Sequence, residues 1–201
     1  MPTYTSQPDA TDGLDTYIFG GAATTNYGTS SQALIGWGAA SSQPLRGLLK
    51  FDLTKGTNPP PSGAVVTSDG TLTIYCEEYN VARTLAAYEC LRDWVEAQAT
   101  WNIYSTGNNW QTAGAAGALD YDSTEAGSVA VSSTGDKVIT IPAALIQKWI
   151  SVQNYGLVLR HTAETTNYNR YTTSDGGTAG NRPEFSFEYS LGGQFIIWSS
   201  D

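Results

Sequence analysis

Apolar and polar residues alternate in short runs along most of this chain, and the runs end in Gly, Pro, Asn, Asp or Ser. That is the pattern of half-buried strands joined by turns. DTYIFGG (15–21), QALIGWG (32–38) and LRGLLKFDL (45–53) predict the first three strands. In the third, Leu45, Gly47, Leu49 and Phe51 share one face, and Arg46, Leu48, Lys50 and Asp52 the other. TLTIYCEEY (71–79) and ARTLAAYECLRDW (82–94) read as a long hairpin, the strongest β signal present. Further strands are predicted at 127–133, 136–141, 154–162, 169–174 and 182–190. PAALIQKWISVQ (142–153) departs from the two-residue period and predicts one short helix, about 142–152. Leu145, Ile146, Trp149 and Ile150 fall on one face of it, and Pro142 suits its first turn.

The connections carry turn chemistry. NYG occurs twice, at 26–28 and 154–156, each time where a turn is expected, and TKGTNPPPSG (54–63) is a stiff crossing over one end of the domain. Strands spaced 8 to 15 residues apart with one helix predict an all-β jelly-roll β-sandwich, with a lipocalin-like barrel as the alternative. One domain spans 14–189, preceded by a polar arm (1–13) and followed by a tail or extra strand (190–201). The segment WVEAQATWN (94–102) and Trp110 hold three of the six tryptophans, and a Gly/Ala loop (113–118) follows. Rings so placed suit closure of one end of the core first, and stacking on sugar second.

Composition narrows the function classes. Nineteen acids against ten bases give a formal charge of −9, and the arginines are scattered, which excludes a nucleic-acid interface built on a basic stripe. No apolar run reaches the roughly 20 residues of a membrane-spanning helix. The N-terminal sequence lacks a secretory pattern, so either a signal has been replaced or the protein is assembled without export, as phage virion proteins are. Charged residues are only 14% of the chain, which suits a virion-surface or extracellular location. Cys76 and Cys90 read by alternation as buried thiols, with a cross-strand bridge the alternative.

The order DTYI, NYG, LRGLLKFDL, DWVEAQATWN, NYGLVLRHT and RPEFSFEY resembles the DNRLRE domain family over about residues 14 to 189. Those domains are related to disaggregatase repeats and to carbohydrate-binding module family 96. The resemblance implies a jelly-roll sandwich, a non-catalytic role, and binding of glycans, acidic polysaccharides among them. It places the family's strand Arg and Lys on Arg46 and Lys50. Its tryptophan segment falls on Trp94, Glu96, Thr100 and Trp101, and its terminal Arg-Pro on Arg182 and Pro183.

Candidate chemistry follows. His161 is the single histidine; it stands without a nucleophile elbow or a metalloenzyme spacing and reads as a solvent-edge side chain. Glu77, Glu78, Glu89, Asp93 and Glu96 lie near one another in sequence, but as solvated carboxylates rather than a glycosidase pair. Flat rings beside amides suit a pyranose, which pairs a C–H face with a hydroxyl rim. Tyr104, Trp110, Tyr168 and Tyr171, with Asn109, are therefore the candidate glycan-binding residues. Arg46 and Lys50 read as an exposed strand face that a uronate carboxylate would suit. Asp12 and Asp15, and Asp120 and Asp122, place hard oxygens close together in loops, where a structural calcium ion is expected to bind. The tail's Phe195, Ile196, Ile197 and Trp198 form an apolar, β-prone run that predicts either an edge strand or docking onto other copies of the chain or onto virion or surface proteins. The expected function is thus a non-catalytic surface-display protein of phage decoration or fibre type with a carbohydrate-binding jelly roll. The alternative is a carbohydrate-binding module of a secreted polysaccharide-active enzyme or adhesin.

Overall fold

The computed structural model describes residues 1–191, so Phe195, Ile196, Ile197 and Trp198 lie outside the described residues. The alternating runs become strands of a two-layer antiparallel sandwich, as the sequence pattern predicts. β2 (Leu14–Phe19) follows a short first strand, β1 (Thr3–Ser6), and precedes the hairpin of β3 (Gln32–Gly38) and β4 (Gln43–Lys50). One layer runs β2, β4, β12 (Leu157–His161), β7 (Arg83–Cys90) and β10 (Tyr121–Val131). In the other, β6 (Gly70–Glu78) pairs along one edge with β11 (Gly135–Ile141). Its second edge is shared by β14 (Glu184–Ser190) and β13 (Tyr168–Thr172). β1 and the two-residue β5 (Val65–Val66) pair with β14, and β3 pairs with β13. Because β3 bonds to both β13 and β4, it carries the backbone ladder from one layer into the other.

Between the layers, alternate residues of both sheets interdigitate: Leu49, Leu85, Leu157 and Leu159 from one, and Leu72, Ile74, Ile139 and Phe185 from the other. Helix α1 (Ala143–Ser151) closes one end with Ile146 and Trp149. Pro142 offers no capping side chain, and Asp69 from a distant loop accepts the Ala143 N–H at 2.8 Å instead. Both NYG segments are the expected turns, built on one device. The asparagine oxygen accepts the glycine N–H two residues on (Asn26 to Gly28 at 3.1 Å, Asn154 to Gly156 at 2.9 Å), and the amide clamps a remote carbonyl.

Three expectations are corrected, while the expected buried thiols are borne out. Residues 71–79 and 82–94 do not form a hairpin, because β6 and β7 belong to opposite layers and their shared apolar faces meet across the core. The supposed arm contributes β1, whose Tyr4 is fully buried against Phe187. Cys76 and Cys90 are both free and buried, yet on different sides of a sheet: Cys76 in the inter-layer core, Cys90 in a second cluster. And the tryptophan segment does not close an end of the sandwich. Residues 91–120 lie as a lid over the outer face of the β2–β4–β12–β7–β10 layer, where Trp94, Ala99, Trp110 and Ala115 pack on Ile18, Leu48 and Val158. Within this lid, β8 (Ile103–Ser105) and β9 (Asn108–Asn109) make a small hairpin.

Candidate functional site

The lid explains why the outer face of β4 is not solvent-exposed. Arg46, expected on an open strand face, is 6% exposed. Its guanidinium donates to both carboxylate oxygens of Glu164 (2.7 and 2.8 Å) and to the Gly114 carbonyl (2.6 Å), and it lies 5.3 Å from the centroid of the Trp101 ring. Gly114 holds φ +84°, and a β-carbon there would meet the Trp101 ring at 2.4 Å, so only glycine lets ring, loop and guanidinium stack this closely. Lys50 is half-buried, over the Trp94 ring at 5.5 Å and 3.7 Å from Asp93. Arg46 is thus not presented for a uronate, whereas Lys50 also lines an open groove of about 380 Å³ beside Asp52 and Asn154.

Two of the four candidate rings are core residues. Trp110 donates its indole N–H to the Thr100 carbonyl at 2.9 Å within the lid cluster, and Tyr171 is 1% exposed against His161. His161 is itself fully buried rather than at the solvent edge, and burial pulls it down to about 4, so it is neutral at ordinary pH. Tyr104 is half-buried against Trp110, and Asn109 is exposed on the lid hairpin.

Tyr168 is placed differently. It stands beside an open groove of about 610 Å³ where β2, the β3–β4 hairpin and the start of β13 meet. Tyr17 and Phe19 of β2, Tyr27 of the first NYG turn and Leu34 of β3 complete its apolar walls, with Ser41 and Asn167 at the rim. Tyr17 and Tyr27 stack with centroids 4.1 Å apart and planes at 19°. Burial, then the neighbouring Tyr27, holds the Tyr17 hydroxyl well above the usual tyrosine range, so it stays a neutral donor and acceptor. No charged residue lines the groove. The sequence pattern does not single out Tyr17, Phe19 and Tyr27 as site residues. The available signal was that Tyr17 and Phe19 alternate with an equally apolar Ile18, so β2 carries two apolar faces where a surface strand needs one.

The metal expectation is redrawn. Asp12 pairs with Lys55 at 3.2 Å, and Asp122 accepts the Thr124 N–H at 2.8 Å. Asp120 is fully buried and already satisfied, accepting the N–H groups of Gln111, Thr112 and Gly117 at 2.8 to 3.0 Å and approached by Arg92 at 3.3 Å. It ties the lid together and has no free oxygen to offer a cation. Asp15 instead meets Glu96 and Asp175, with ligand atoms all within 4.8 Å of one another. Burial pushes Asp15 up to about 6 and Glu96 up to about 7, and Asp175 rises for the same reason. Glu77 and Asp93 are exposed, as expected of solvated carboxylates, whereas Glu78 and Glu96 are half-buried and Glu89 is buried. Glu78 pairs with Arg170 at 2.6 Å, Glu89 with Lys148 at 2.6 Å and Asp93 with Lys50, while Glu77 accepts from Gln32.

An all-β sandwich with an aromatic groove is compatible with many binding proteins. The model of carbohydrate-binding module family 96 matches residues 5–185, nearly the whole sandwich. The chain belongs to that family. This module therefore carries a glycan-binding lineage on a two-layer sandwich, and its lid, groove and acidic cluster all lie within the matched span. No curated protein sequence matches it. No helix among the described residues is long and apolar enough to cross a membrane.

Proposed function

We propose that this module is non-catalytic and binds neutral polysaccharide in the groove walled by Tyr17, Phe19, Tyr27 and Tyr168. The supporting observation is the combination of clustered rings and an uncharged lining. Aromatic faces stack on the C–H faces of pyranose rings, while Ser41 and Asn167 at the rim suit hydroxyls. The cations that would read a uronate, Arg46 and Lys50, are engaged by Glu164, Asp93 and two tryptophan rings. The net charge of −9 also repels a polyanion at long range. On a polysaccharide array, the module is expected to bind neutral glucans, mannans or xylans with little dependence on salt. Retention on alginate or pectate alone, weakening with salt, would overturn the reading.

Display is the finer part of this proposal. The apolar run at 195–198 favours attachment of the module to other copies of itself, to a virion or to another extracellular surface, and the motif order favours kinship with the DNRLRE domains. By light scattering, the full-length chain is expected to be a defined oligomer and a chain ending at Leu191 a monomer. Equal masses for the two would remove the tail from assembly.

A further inference from the structure

The acidic cluster lies away from the aromatic groove and is built from three segments distant in sequence. Asp15 is the second residue of β2, Glu96 sits in the lid two residues after Trp94, and Asp175 follows Ser174 in the connection from β13 to β14. Each of the first two carboxylates is fixed through one oxygen. Asp15 Oδ2 accepts the Ser174 N–H at 2.8 Å, and Glu96 Oε1 accepts the Asp15 N–H at 2.9 Å. Asp15 Oδ1 and the hydroxyl of Ser174 are left with no hydrogen-bond partner, on residues 4% and 1% exposed. Among the described residues, no Lys, Arg or His forms an ion pair with Asp15, Glu96 or Asp175. Buried oxygens are ordinarily paired, and a buried carboxylate such as Asp15 is ordinarily neutralised by a counter-charge. Here neither holds, and Ser174 adds an unpaired hydroxyl from outside the acidic set.

We propose that Asp15, Glu96, Asp175 and Ser174 form a calcium site that fastens the tryptophan lid to the sandwich. Every donor is a hard oxygen, without the imidazole or thiolate that zinc or copper prefers. Calcium takes six to eight oxygens at roughly 2.3–2.6 Å, so oxygens on opposite sides of it stand about 4.6–5.2 Å apart. Ligand atoms within 4.8 Å of one another fit inside that sphere. Magnesium needs a tighter octahedron, about 4.0–4.2 Å across, and keeps most of its waters. A calcium ion would give Asp15 Oδ1 and Ser174 Oγ their missing partner and neutralise three converging carboxylates. It would also join the start of β2, the lid and the β13–β14 connection at one point.

Thermal unfolding and calorimetric titration of the full-length chain test this. With calcium in about hundred-fold excess over its dissociation constant, Tm is expected to rise by about 5–10 °C over the chelated protein. The titration should give one calcium per chain, and magnesium a much smaller response. Asp175→Asn, half-buried and nearly unchanged in size, is expected to abolish the calcium-induced shift while keeping its near-UV circular dichroism in chelator. Glu96→Gln should do the same. The site is overturned if Tm is equal in calcium and chelator with no heat of binding, or if both variants keep the full shift.

Discussion

Replacing Arg46 by alanine is expected to destabilise the module by about 3–5 kcal/mol, because it leaves the Glu164 carboxylate buried without its partner. The arginine is 7% and the glutamate 12% exposed at the side chain, and their contact is bidentate, so solvent screening reduces the effect little. The same substitution removes the donor to the Gly114 carbonyl and the cation over Trp101, both in the lid. For a domain of this length the loss corresponds to a fall in Tm of roughly 6–20 °C. Arg46→Lys keeps the charge but not the planar fork, and should recover only part of it. Thermal melts of the three proteins check this, with tryptophan fluorescence reporting on the lid. A melt within about 2 °C of wild type for Arg46→Ala would show that the lid does not depend on this ion pair.

Arg46 also shows where the sequence stops being legible. Alternation along β4 correctly separates Leu45, Gly47 and Leu49 from Arg46 and Leu48. It does not reveal that residues 91–120 fold back over the second face. That covering depends on contacts such as Arg46 to Gly114, 68 residues apart. The β6–β7 hairpin that the pattern predicts fails for a similar reason. Both runs have strand periodicity and a short connection, but register is decided by partners elsewhere in the chain: β11, β13 and β14 for one, and β10 and β12 for the other. Local devices were readable, as the two NYG turns and the amphipathic helix illustrate.

The sites follow the same division. Tyr168 is legible as a ring beside an amide, whereas its groove partners Tyr17 and Tyr27 come from a strand and a turn more than a hundred residues earlier. Asp15 was identified as a hard ligand, but its partners Glu96 and Asp175 were not, because only the lid and the β13–β14 connection bring them to it. Trp110 and Tyr171 have the composition of a sugar site and the burial of a core, a difference that residue type alone does not encode.

The second large effect concerns binding. Tyr27 and Tyr168 are half-buried, line the groove, and lie outside the inter-layer core cluster. Each truncation to alanine should therefore weaken glycan binding by about ten-fold, or ~1.4 kcal/mol, with little change in Tm. Tyr17 is a poorer test, since it is 8% exposed and packs in the buried cluster with Ala33 and Leu45. Both rings pack against the Tyr17, Ala33 and Leu45 cluster, so the two truncations should combine to more than a ten-fold loss but less than the product of the two.

The most direct measurement is calorimetric titration of the Tyr27→Ala/Tyr168→Ala protein beside wild type, using the neutral polysaccharide that wild type retains best. An affinity more than ten-fold weaker, with only a small fall in Tm, is the predicted result. Wild-type affinity in the doubly truncated protein would contradict the account and move the glycan site away from this groove.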